Sequence, residues 1–280
     1  MNIKRLSIEE KMALTPQEYR LMNRRGELPL DEASEFFCQG YSWHALVILP
    51  QDYAFEFLTF CVRNPRACYP VDICEPGSPH PMLLAPDADV RTDCTRYRVF
   101  KDGRVIDEPT DVIKYWRDDL VAFLLACSQS FEGIMSMHNI KFRLMGCFTS
   151  NISAVPAGRF TCDNMIVTLR LFKTMQDAMR VIQVTSRLPI AHGRPIHMGD
   201  PTAIGIKDIL KPDVYVPLIP TGPQESGEVL LAWMCAITPE NAIKAAKPPL
   251  AIMHYPSRVF VSDHLTEEFA YTEQVASNLV

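Results

Sequence analysis

The chain has 280 residues and a formal charge of −5, long enough for one large core or two smaller ones and without the basic excess that nucleic-acid binding needs. Hydrophobic residues make up 48% and charged residues 22% of it, the balance of a globular protein, and no apolar run approaches a bilayer span of about 20 residues. Thr15-Pro16-Gln17-Glu18 combines an N-cap, a proline at the first helical position and a glutamate that closes a capping box, so a helix is expected toward Arg24, ended by Gly26 and Pro29. Ala45 to Leu49 is an apolar run stopped by Pro50, and reads as a buried strand. Tyr53, Phe57, Phe60 and Cys61 recur at helical spacing between Asp52 and Arg63. The proline-rich stretch from Pro65 to Pro86 reads as loop around one short strand, Val71 to Cys74.

Arg96 to Ile106 reads as a hairpin turned at Asp102-Gly103, the pair that tolerates the positive φ angles of a tight primed turn. Leu120 to Ala126 is apolar throughout and therefore buried. A helix is expected after Ser128 and Ser130, with Glu132 in its first turn. Met165 to Leu171 alternates like a strand, and Thr174 caps a helix to Ser186. Val229 to Ile237 is a further strand, Thr238-Pro239-Glu240 opens a helix through Ala246, and Ala251 to Tyr255 and Arg258 to Val261 close the set, before a loose polar tail after Asp263. Alternating strands and helices predict an α/β fold (mixed α+β), with mixed sheets carrying helices on their faces. The chain reads as a single unit of two interleaved subdomains, residues 1–110 with 190–280, and residues 111–189.

Nine cysteines at positions that match no zinc template, several in apolar runs, read as buried reduced thiols. The N-terminal residues lack the apolar core of a signal peptide, so a cytoplasmic protein is expected, and a homodimer is the base-rate expectation.

The densest chemistry lies between Arg187 and Ile206, where Arg187, His192, Arg194, His197 and Asp200 are punctuated by glycine and proline. Histidine exchanges protons near neutral pH, and arginine offers a fork that fits a carboxylate. His192 and His197 are the candidates for proton transfer, Asp200 either orients a histidine or caps a helix before Pro201, and Arg187 and Arg194 are candidate carboxylate clamps. A second cluster, Ser128, Ser130 and Glu132 at a helix start, forms either an anion site with a catalytic carboxylate or an ordinary cap. Asn151 offers hydrogen bonds to a substrate or a turn. No nucleotide-binding motif is present and no cofactor is expected; the histidine spacing matches no helical metal pair.

Several blocks together carry a resemblance: Leu46 to Phe57, Phe60 to Pro65, Ala88 to Asp93, Trp116 to Leu125, Cys127-Ser-Gln-Ser-Phe-Glu132, His192-Gly193, His197-Met-Gly-Asp-Pro201, Thr238-Pro239 and Ala246 to Pro249. From roughly residue 15 to residue 264 the chain resembles the D-glutamate cyclase family, whose bacterial members are named "putative hydro-lyases". The resemblance implies a cofactor-free lyase that closes D-glutamate to 5-oxo-D-proline with loss of water. One segment departs from it. Where the family has a Gly-Pro-Thr element and then Gly-Tyr-Val-Gln-Ala-Asn, this chain has Phe37-Cys-Gln-Gly-Tyr-Ser-Trp43-His-Ala45. Trp43 is therefore a candidate substrate contact, and an apolar pocket around it would point to the same fold redirected to another dehydration or cyclisation. A non-catalytic protein that binds an acidic ligand is the alternative of a different class.

Overall fold

The computed structural model describes residues 3–214 and 222–271. In chain order the elements are α1 (Ile8–Ala13), α2 (Pro16–Arg24), β1 (Tyr41–Pro50), α3 (Gln51–Arg63), α4 (Pro65–Cys68), β2 (Pro70–Ile73), β3 (Tyr97–Lys101), β4 (Arg104–Asp107), β5 (Leu120–Ala126), α5 (Gln129–Met137), β6 (Phe142–Thr149), β7 (Ile166–Phe172), α6 (Met175–Ser186), β8 (His197–Met198), β9 (Val229–Met234), α7 (Thr238–Ala246), β10 (Ala251–His254) and β11 (Phe260–Leu265). The fold is mixed α/β. Every pairing between the described strands is antiparallel, so strand–helix alternation here does not build parallel crossovers.

One sheet runs β2-β5-β1-β10-β3-β4, with β11 also paired to β1. The other runs β6-β7-β9-β8. The first draws on residues 41–126 and 251–265, the second on residues 142–234, so Leu120 to Ala126 joins the N-terminal strands rather than the segment that follows it. Strand β1 is longer than its apolar run because it is central: β5 covers one edge, β10 and β11 the other. Its buried polar side chains meet one another, with Ser42 Oγ 2.9 Å from His44 Nε2 and 2.5 Å from Ser262 Oγ, while His44 Nδ1 is left without a partner.

The main core lies between the sheets. Val47, Leu49, Phe123 and Leu125 from the first meet Val167, Leu169 and Leu171 from the second, with Phe57 and Phe60 of α3 packed among them. The opposite face of the first sheet is covered by the segment from Cys74 to Cys94, and that of the second by α5 and α6. The hairpin turn forms as expected, with φ of 51° at Asp102 and 77° at Gly103. Thr15 and Thr174 cap their helices by accepting from Glu18 N and Asp177 N. All nine cysteines are free and buried.

Several elements were not legible in the sequence, among them the four-residue helix α4 inside the stretch read as loop and the two-residue strand β8. Helix α1 is a six-residue capping-box helix with no buried residue, hence no apolar periodicity. Strand β6 is broken by a register shift between Leu144 and Gly146, which spoils its alternation. After Asp263 the chain continues in β11 and a 3-10 turn, Thr266–Phe269; the remainder of the expected tail, residues 272–280, lies outside the described residues. Among those residues no helix is long and apolar enough to cross a membrane.

Candidate functional site

Alternation along β7 sets up the site. Val167, Leu169 and Leu171 face the main core, so Thr168 and Arg170 point to the other side of the sheet, under α5. Antiparallel pairing brings Cys147 of β6 opposite Thr168, and the residue after β9, Cys235, beside Ile166 through its N–H. These side chains, with Cys127, Ser128 and Glu132 from the start of α5 and His254 from the end of β10, line a narrow cleft of about 60 Å³.

Arg170 is the centre of the cleft. It is 1% exposed. Its Nη2 donates to Ser128 Oγ at 3.1 Å and to the Glu132 carboxylate, while Nε and Nη1 are buried with no hydrogen-bond partner. The guanidinium lies 4.7 Å from the ring centroid of Phe131 and 5.6 Å from those of Phe142 and Trp233. Buried donors are almost always paired, so a planar cation held among aromatic faces with two donors left unpaired inside the protein is unusual. That arrangement suits a carboxylate.

Two thiols lie nearby. Cys147 Sγ is 3.7 Å from Cys235 Sγ and 3.4 Å from Thr168 Oγ1. The hydrogen bond from Cys147 holds the Cys235 thiol below the usual thiol range, helped by Thr168, the Ile237 N–H and Arg170, and Cys147 is pushed up in consequence. His254 Nδ1 accepts from Leu46 N at 3.2 Å, and burial lowers its pKa to about 4, so its ring is neutral.

A second, larger cavity of about 550 Å³ adjoins the cleft, sharing Glu35, Gln129, Glu132 and Leu144 with it. Its walls are Phe37 to Tyr41 and Trp43 on one side and Ile140 to Leu144 on the other, with α5 between. Phe36 and Cys38 take φ of 69° and 47°, a left-handed conformation that is unusual for such side chains. Gly133 of α5 sits against this segment so closely that a methyl group there would lie 2.9 Å from Gly40 N. Gly133→Ala should therefore cost about 1–3 kcal/mol of stability despite the better helix propensity of alanine; urea unfolding that shows the variant equal to or more stable than the parent would contradict this close approach.

A family model described as D-glutamate cyclase matches residues 121–263. Proteins named "putative hydro-lyase" match nearly end to end: one from Bacillus licheniformis is 43% identical over 91% of this chain and 97% of its own length, one from Bradyrhizobium diazoefficiens 42% over 89% and 91%, and one from Geobacillus kaustophilus 40% over 91% and 96%. The chain belongs to the D-glutamate cyclase family. Within this family member the matched stretch holds every cleft residue except Glu35, whereas Phe37 to Trp43 of the large cavity lie before it.

The residues singled out from the sequence divide into two groups. Ser128 and Glu132 contact Arg170, Trp43 is buried and lines the large cavity, and Ser130 clamps the backbone of Trp43, accepting from its N–H and donating to its carbonyl, both at 2.8 Å. Arg187 and Arg194, the candidate clamps, line neither cavity, and the buried arginine of the cleft is Arg170. Arg187 is the exposed C-cap of α6, and Arg194 is exposed, with its carbonyl accepting from Arg66. His197, Asp200 and Asn151 line neither cavity. The Asp200 carboxylate caps the turn Pro201–Ile204 by accepting from Thr202 N at 2.9 Å, and His197 Nε2 meets the Asp200 carbonyl, not its carboxylate, at 2.7 Å. Neither group orients the other for proton transfer. His192 is 1% exposed, takes φ of 70°, and hydrogen-bonds the Arg66 carbonyl through Nδ1, while Nε2 is buried without a partner. Burial lowers its pKa to about 3, so it is a neutral ring near the Arg170 charge. Arg170, Cys147 and Cys235 were missed because an arginine in an alternating strand reads as solvent-facing and lone thiols in apolar runs read as core.

Proposed function

We propose that the protein is a lyase that expels water from a carboxylic acid held on Arg170, and that it acts on D-glutamate, closing it to 5-oxo-D-proline. The observation that carries this is the buried Arg170 side chain, which lines the cleft and whose Nε and Nη1 have no hydrogen-bond partner; family membership and the names of the relatives support the loss of water. Cyclisation moves two protons from the substrate ammonium to one oxygen of the distal carboxylate. The freed amine attacks the carboxyl carbon, a C–N bond forms, and the C–O bond breaks as water leaves. The reaction needs an anchor for the other carboxylate, a proton carrier, and stabilisation of the tetrahedral oxyanion. Arg170 is the anchor in this reading. Glu132 and the Cys147–Cys235 pair are the groups on the cleft wall that exchange protons, in place of His197 and Asp200, which lie elsewhere.

A proton NMR time course of the purified protein with D-glutamate tests the reading. Protein-dependent appearance of 5-oxoproline is expected. Folded protein that yields none overturns D-glutamate as the substrate.

A further inference from the structure

The two cavities differ about ninefold in volume, about 60 Å³ against about 550 Å³. The cleft at Arg170 has room for little more than an acid head group. The adjoining chamber is within the size range of sites for drug-sized ligands, far more than the short polar chain of glutamate occupies. Its walls carry Phe36, Phe37, Trp43, Ile140, Phe142 and Leu144. Phe36, which lines the chamber, is 51% exposed and takes a left-handed backbone conformation. Charged groups gather at the junction with the cleft, where Glu132 borders both spaces, and at Lys141 and Arg143.

We infer that the chamber is a subsite for an apolar, ring-sized group, and that the acids this protein prefers carry such a group on the side away from the carboxylate that Arg170 binds. The inference rests on the proposed role of Arg170 as the carboxylate anchor. It assigns the segment from Phe36 to Trp43 a part in choosing the substrate, through the burial of apolar surface in the chamber. An unsubstituted amino dicarboxylate leaves that apolar wall wet and forgoes this contribution.

The test is calorimetric binding of two probes to the full-length protein, butanoate and 4-phenylbutanoate, which share the acid head and differ by one phenyl ring. The phenyl acid is expected to bind at least about tenfold more tightly. Ser136 is exposed on α5 and lines the chamber, so Ser136→Trp fills the space from a position that tolerates a large side chain, and the ratio should fall toward one. Phe36→Ala, at another exposed position, should lower the ratio without filling the chamber. Arg170→Met should abolish binding of both acids. Equal affinities of the parent for the two acids, with binding still dependent on Arg170, would overturn the subsite and leave the anchor standing. Binding of either acid that survives Arg170→Met would overturn the anchor. A phenyl preference unchanged in Ser136→Trp and in Phe36→Ala would place the ring elsewhere and overturn the assignment of the chamber.

Discussion

Acidification below about pH 6.5 should destabilise this protein by about 4 kcal/mol per pH unit. Three histidines, His44, His192 and His254, are buried as neutral rings, with pKa values lowered by burial to about 3, about 3 and about 4. In the unfolded chain each returns to about 6.5. As the pH falls through that value the unfolded state takes up protons that the native state refuses, so unfolding gains about 1.4 kcal/mol per proton and per pH unit. The stability is fully present above the unfolded pKa and is lost as pH falls toward the folded values, a window from about 6.5 to about 4. His264 acts with the opposite sign. Its pKa is raised, chiefly by its hydrogen bond to Glu268, so what it contributes is present at low pH and lost as pH rises through its folded value; it is 39% exposed, and the effect is small. Urea unfolding at a series of pH values measures the slope. In His44→Gln it should fall by one proton, about a third. Parallel slopes in parent and variant would show that His44 is not the buried neutral base described here.

Arg170→Met should lower kcat/KM for 5-oxoproline formation by at least about 100-fold, the loss of about 3 kcal/mol of charge-assisted binding. Arg170→Lys should recover only part of it, since an ammonium keeps the charge but not the planar fork. In both variants most of the effect should fall on KM, because the anchor holds the carboxylate in the ground state as well as in the transition state. The variants should remain folded. Glu132, which loses its partner, is 20% exposed and can be hydrated, and methionine can occupy the space beside Phe131 and Trp233. Turnover within about threefold of the parent, with intact circular dichroism, would remove Arg170 from the site.

Much of the architecture was legible because local signals agreed with the final packing. The capping box at Thr15 and Glu18, the Asp102-Gly103 turn, the apolar run from Leu120 to Ala126 and the alternation from Met165 to Leu171 each depend on neighbours within a few residues. The site was legible only in part. Ser128 and Glu132 stood out as a polar helix start, and Trp43 as a departure from the family pattern; all three line the cavities. The cluster from His192 to Asp200 drew attention through composition, yet Asp200 caps a turn and the His192 ring is buried at the Arg66 carbonyl. A side chain's type shows what it can do, whereas its role depends on what the fold brings against it.

By itself the sequence determined the family, the mixed α/β class, the positions of most helices and strands, and the burial of the nine thiols, because these follow from periodicity, caps and residue type. Only the tertiary structure decided which arginine is the buried cation, that Cys147 and Cys235 meet, and that an aromatic chamber opens beside the cleft. Strand β7 shows why. Its alternation predicts two faces, but both become buried once α5 and α6 cover the outer one, and Arg170, the charged member of that alternation, is then left with two unpaired donors inside the protein. Contacts between residues 132, 147, 170 and 235 are set by sheet register and helix packing across about a hundred positions of chain, a distance over which no local pattern carries information.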